Sequence, residues 1–318
     1  MWAAGGVLAA LAGTLRPDGI AAAARATAGP FATLAAIIVA SALAGRIGVF
    51  RVLASALVPG RGPMVASAAA ILAFTAVLSA LVNLDVAVVV AMPVALRAAQ
   101  RQGLDPGRLA VAVAITANAT SFLLPTSNIT SMLLLGRRPL PAAYISGSWL
   151  PWLLVTAVTL GPLSAWAARG STGQARGSTG QARAVAAGPS ARAASGLLPM
   201  FGLASGIRAL LGTGLALHGS LAGQLAEGSA LAAIAGNLPA AAAAAPASTP
   251  GLWAAILATA IGPNLLITGS VATLICRRIA GDGGARLGAV QFSAIGVALV
   301  PAQLAAATLG LHITGTLG

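Results

Sequence analysis

The chain has 318 residues, 58% of them hydrophobic and 7% charged, with a formal net charge of +13. A soluble domain carries about a quarter charged residues, so this composition excludes a water-soluble globular protein and predicts an all-α polytopic membrane protein. The charge comes from 18 arginines and no lysine against five acids; because the arginines fall mostly between apolar segments, they read as topology signals and not as a nucleic-acid surface.

The first apolar segment, residues 1–15, lacks a basic leader and a clear small-residue cleavage site, so it reads as a short extra span rather than a signal peptide. Segment 29–45 follows. Segment 63–96 is interrupted by Asn83-Leu84-Asp85, and segment 109–135 by the stretch from Ala117 to Asn128 around Pro125. Segment 142–168 closes the first half. Residues 169–192 contain GSTGQAR twice in succession and read as a flexible basic linker. The second half carries segments 193–207, 226–246, 252–276 and 288–313. Its interruptions are Gly236-Asn237-Leu238-Pro239 and Gly262-Pro263-Asn264 through Gly269-Ser270.

Amides, hydroxyls, glycines and prolines inside hydrocarbon-length segments are costly, because freed backbone groups meet no water there. They are tolerated where they line a protein-enclosed cavity. Each half presents a span, an interrupted hairpin, an interrupted span and a closing span in the same order. The expected organisation is an extra N-terminal span and loop (1–28), a first repeat (29–168), the linker (169–192) and a second repeat (193–318). If the segments around Asn83 and Asn237 are re-entrant hairpins, thirteen arginines lie on one face and five on the other. That bias favours hairpins over full crossings and makes the linker cytoplasmic. The two repeats are then inverted, with a binding site between them.

Asn83 and Asn237 are expected at the hairpin tips, where an uncharged amide both donates and accepts. An asparagine can equally cap a half-helix. In the broken spans, Asn118, Ser127 and Asn128 face one break, and Asn264, Gly269 and Ser270 the other. Unwinding there exposes helix N-termini that favour an anion or an electronegative oxygen. Asp85 is the one acid inside an apolar core, and an intramembrane carboxylate is costly unless paired, hydrated or protonated. It reads either as a proton or cation carrier or as a cap on the hairpin's second helix. Asp18, Asp105 and Asp282 read as solvated turn residues, Glu227 as interfacial, and Trp149, Trp152, Trp166 and Trp253 as an aromatic belt. Cys276 reads as a small packing residue. With one cysteine, and with His218 and His312 far apart, no metal site, cofactor site or catalytic pairing emerges, so an enzyme is not expected.

These motifs resemble the ion transporter superfamily, and most closely its arsenite/antimonite efflux permease branch. The similar stretches are LSALVNLDVAVVVAMPVAL (78–96), ITANATSFLLPTSNITSMLL (115–134), GNLP (236–239) and IGPNLLITGSVATLICRR (261–278). The resemblance implies an inverted-repeat transporter with two re-entrant hairpins and two broken transmembrane helices, working by alternating access in the plasma (inner) membrane. By position it assigns substrate contacts to Asn83, Asn118, Ser127, Asn128, Asn237, Asn264, Gly269 and Ser270. The expected substrate is a small inorganic oxyacid such as As(OH)3, exported with coupling to protons or membrane potential. The alternative is Na⁺/H⁺ exchange or Na⁺-coupled carboxylate or anion transport; a non-transporting scaffold or sensor is a further one. Homodimers are common in the superfamily. This chain departs from the family pattern in two places: Leu84 separates Asn83 from Asp85, and Gly236 replaces the first asparagine of the second tip. It is also shorter than typical members.

Overall fold

A computed structural model describes residues 17–49, 52, 63–136, 144–169 and 219–317. Residues 1–15, most of the 169–192 linker and the 193–207 segment lie outside them. Among the described residues the chain is helical, with no β-strand. The helices are α1 (Pro17–Arg46), α2 (Met64–Leu81), α3 (Leu84–Gln102), α4 (Pro106–Ala119), α5 (Ile129–Leu135) and α6 (Tyr144–Ala168), followed by α7 (Leu221–Ala235), α8 (Asn237–Ala243), α9 (Thr249–Ile261), α10 (Val271–Asp282) and α11 (Ala289–Ile313). Short 3-10 turns, Pro125–Ser127 and Gly262–Leu265, stand in the two breaks. Among the described residues, four stretches are long and apolar enough to cross a membrane: Ala28–Arg46, Met64–Leu81, Tyr144–Ala168 and Ala289–Ile313.

The expected interruptions fall where the helices stop. The first helix starts earlier than anticipated, at Pro17, and runs through Pro30 without a stop. Asp105 is more than a solvated turn residue: its Oδ1 accepts the backbone N–H groups of Gly107 and Arg108 at 2.8 and 3.0 Å and starts α4. Ser248 starts α9 in the same way, through the N–H of Gly251 at 3.1 Å, and each of these helices has a proline in its first turn.

Both helices then run apolar on all sides. α4 is buried continuously from Leu109 to Ala119, and α9 from Gly251 to Ile261. A helix hydrophobic all round belongs at the centre of its bundle. Abundant alanine lets the neighbours approach closely.

The packing pairs match between the halves. α2 packs on α3 and α4 as α7 packs on α8 and α9; α3 packs along α10 as α8 packs along α5; α4 meets α10 as α9 meets α5. The closing helices α6 and α11 pack on each other. Two apolar cores result. One joins α2, α3 and α4 with Ala272, Cys276 and Ala280 of α10. The other joins α8 and α9 with Leu134 and Leu135 of α5. Each half therefore lends the second part of its broken span to the other half's core.

The aromatic belt expected from segment ends is only partly present. Trp149 is half exposed, at 49%, but Trp253 is buried and stacks on Tyr144 with ring centroids 5.0 Å apart. Trp166 lies beneath the Arg108 guanidinium at 5.4 Å, a cation–π contact. Sequence position at a segment end does not reveal whether an indole faces lipid or a neighbouring helix.

Candidate functional site

The first tip is closed by one amide. Asn83 is fully buried in extended backbone between α2 and α3, and its Oδ1 accepts the N–H of Asp85 at 2.9 Å. Its Nδ2 reaches into the first break and donates to the Thr126 carbonyl at 3.0 Å. Ser79, one turn earlier, donates to the Ala117 carbonyl at 2.6 Å. The tip is thus tied to the middle of the broken span.

Within that break, Ser127 Oγ donates to the Ala80 carbonyl and accepts the Leu124 N–H. Asn128 caps α5: its Oδ1 accepts the Thr130 N–H at 3.1 Å, while its Nδ2 donates to Ser121 Oγ at 2.9 Å. Three freed carbonyls are taken by one side of α6. Trp152 Nε1 donates to Thr120 at 3.0 Å, Tyr144 Oη to Phe122 at 2.9 Å and Ser148 Oγ to Leu123 at 2.8 Å. These three residues are spaced four apart and so share one helix face. Sequence reasoning missed them. The available signal was that spacing of polar-tipped residues within an apolar span.

The second tip is built differently. Gly236 adopts φ +96°, a left-handed conformation costly for other residues, and the Asn237 N–H then donates to the Gly269 carbonyl at 2.8 Å. Asn237 Oδ1 accepts the adjacent Leu238 N–H at 2.9 Å, and its Nδ2 has no partner among the described residues. Gly269 serves the backbone: a Cβ there would stand 2.6 Å from the Pro263 oxygen. Ser270 occupies the N-cap position of α10 but its side chain caps nothing, and its buried Oγ has no partner among the described residues.

The breaks meet at a crossing of three polar side chains. Asn118 Nδ2 donates to Asn264 Oδ1 at 3.0 Å and to Thr273 Oγ1 at 2.9 Å, while Asn264 Nδ2 donates to the Ile115 carbonyl at 3.2 Å. All three side chains are buried. Asn118 Oδ1 has no partner among the described residues. On the outer flank of the second break, an open groove of about 580 Å³ runs between Leu266–Thr268 and α11.

Asp85 sits in the first turn of α3, half-buried. Its carboxylate takes no hydrogen bond or ion pair among the described residues, so Asn83, and not Asp85, caps this helix. Glu227 and Asp282 are exposed, as are Arg46, Arg277 and Arg278. Cys276 is fully buried among apolar neighbours. The site residues expected from sequence therefore gather in three connected places: Asn83, Ser127 and Asn128 in the first half, Asn237, Gly269 and Ser270 in the second, and Asn118 with Asn264 at the crossing.

The family model described as citrate transporter (CitMHS) matches residues 2–245, which takes in the first tip, the first break and the second tip. The second break lies beyond the match. Neither a curated protein nor a solved structure matches the chain. The match bears out a multi-pass membrane transporter rather than an enzyme, and it points to the citrate-type members of the resemblance rather than the arsenite branch. With helices throughout its described residues, four span-length apolar stretches among them and polar breaks packed against one another, the chain belongs to the citrate transporter family of secondary transporters.

Proposed function

We propose that this protein carries a small citrate-type carboxylate across the membrane by alternating access, with protons or Na⁺ as the coupling ion. The observation that carries this reading is the buried crossing of Asn118, Asn264 and Thr273, where uncharged donors and acceptors from both halves meet inside a chain of this family. Such a junction has little use in a passive scaffold. It suits a solute held between two repeats.

Each tip bonds to the break of its own half, Asn83 to Thr126 and Asn237 to Gly269. A tip at the depth of a mid-span break supports re-entrant hairpins, and the matched packing of residues 64–168 and 221–313 supports two repeats. The arginine bias adds inverted topology with a cytoplasmic linker. No arginine or histidine joins the bonds described at the crossing. A multiply charged carboxylate therefore needs helix N-termini, amides and an accompanying cation or proton to enter. Asp85, the unpaired acid beside the first tip, is the candidate carrier of that coupling ion.

The same absence of charge favours one second reading, an uncharged oxyacid such as As(OH)3 or Sb(OH)3, which presents only hydroxyls. Uptake by proteoliposomes separates the two. Citrate accumulation that depends on Na⁺ or on an imposed pH gradient is the expected result. Arsenite flux without citrate flux would replace the carboxylate reading with the oxyacid one.

A further inference from the structure

Six arginines from three stretches of chain far apart in sequence are brought to one end of the bundle. Arg101 lies in the last turn of α3, Arg108 in the first turn of α4, Arg169 just past α6, Arg277 and Arg278 on α10, and Arg286 in the turn before α11. Close contacts hold these elements together. Gly107 packs so tightly on the Arg286 carbonyl that a Cβ there would stand 2.8 Å from the oxygen, and Gly283, just past α10, packs against Leu96 of α3. Arg108 lies over the Trp166 ring of α6 at 5.4 Å, and its Nη1 donates to the Trp166 carbonyl at 3.4 Å. The apolar core closes beneath them, with Leu96, Leu104 and Leu109 in one cluster with Ala167, Ala285 and Leu287.

This cluster is not neutralised from within. Arg101, Arg169, Arg277, Arg278 and Arg286 are exposed, and none of them has an ion-pair partner among the described residues. Two acids lie at this end. Asp105 turns its Oδ1 to the N–H groups of Gly107 and Arg108, and Asp282 is exposed and takes no ion pair among the described residues. Arginines that only set topology can sit anywhere in a loop. Here the fold brings like charges together, where they repel, so the counter-charge comes from outside the chain. The depth of the cluster says from where. Trp166 stands in the last turn of α6, a helix long and apolar enough to cross a membrane, which puts the arginines around it at the level of the lipid headgroups.

We propose that this end of the bundle is a binding surface for the phosphate headgroup of an anionic phospholipid. The planar guanidinium fork matches two phosphate oxygens at once, and every arginine near an anionic leaflet adds to the attraction. Arg101, Arg169 and Arg286 surround the first turn of α4 and take the phosphate. Arg108, held on Trp166, fixes the α4–α6 side of the surface, and Arg277 with Arg278 extends it along α10. A lipid held there bridges α4 and α6 of the first half to α10 of the second. The surface lies apart from the crossing of the two breaks, and its occupancy does not depend on which solute is carried.

The test is lipid binding to the purified full chain, measured by native mass spectrometry with phosphatidylglycerol and with phosphatidylcholine of the same acyl chains. Wild type is expected to bind phosphatidylglycerol at least about tenfold more tightly. The triple variant Arg101→Gln/Arg169→Gln/Arg286→Gln is expected to abolish that preference, at about fivefold for each charge removed. Its melting temperature in lipid-free detergent is expected to stay unchanged, because all three residues are exposed. If the triple variant melts early, each single exchange carries the same test at about fivefold. Arg101→Lys/Arg169→Lys/Arg286→Lys keeps the charges and is expected to keep most of the preference. Equal affinities for the two lipids in wild type, or an undiminished preference after the glutamine exchanges, would overturn the proposal. Inorganic phosphate bound as tightly as phosphatidylglycerol would overturn it in favour of a free anion. Polyglutamate bound with no preference between the lipids would overturn it in favour of an acidic protein.

Discussion

Ser127 and Tyr144 illustrate what holds an unwound segment in place inside a membrane protein. Ser127 satisfies one carbonyl and one N–H, and Tyr144 satisfies the Phe122 carbonyl while stacking on Trp253. Removing either hydroxyl leaves enclosed backbone groups without a partner, at about 1–3 kcal/mol for each. Ser127→Ala and Tyr144→Phe should therefore lower the midpoint of thermal unfolding in detergent, Ser127→Ala by more. Asp85 stands apart because nothing among the described residues pairs its carboxylate. If Asp85 carries the coupling proton, Asp85→Asn will bind substrate normally and lose its response to an imposed pH gradient. A variant that still accumulates substrate on a pH gradient would remove Asp85 from coupling. The sequence made these candidate residues legible as polar groups inside apolar segments. It could not say which were already engaged, because hydrogen-bond partners such as Thr126, Ala80 and Ile115 are contributed by backbone, whose identity leaves no trace in side-chain type.

At the scale of elements, the breaks and tips were readable because Gly, Pro and Asn interrupt hydropathy sharply, and the helices stop beside them at Leu81, Ala119, Ala235 and Ile261. The latch on α6 was not, since Tyr144, Ser148 and Trp152 sit in a span whose other residues are apolar and whose tryptophans suggested a lipid interface. The second tip depends on backbone conformation as much as on side chains. Gly236→Ala places a Cβ at φ +96° and ψ 150°, backbone that glycine alone ordinarily adopts, at a cost of about 1–3 kcal/mol. Because this strain displaces the Asn237 N–H from Gly269, the variant should lose substrate affinity as well as thermal stability. Retention of wild-type affinity would mean that the tip geometry is not part of the site.

For the whole molecule, the decisive property is that each core contains a helix from the opposite half, α10 in one and α5 in the other. Neither half can bury its apolar surface alone, so the two halves are expected to unfold together in a single transition. The crossing at Asn118, Asn264 and Thr273 joins the end of α4 to the second break and to α10. Composition made the membrane class legible. The exchange was not, since it is a matter of which surfaces pair in space. Sidedness can be checked directly: in a Cys276→Ser background, Ser178→Cys in the linker should react with an impermeant maleimide only from the cytoplasmic face. Labelling from the outside would reverse the topology.

The most direct test of the transport mechanism is citrate uptake into proteoliposomes by wild type and by Asn237→Ala, matched for protein content and melting temperature. The account predicts accumulation by wild type and its loss in the variant, since alanine keeps the backbone N–H bond to Gly269 and removes only the side-chain amide at the second tip. Equal uptake by the two proteins would contradict a substrate path through this junction.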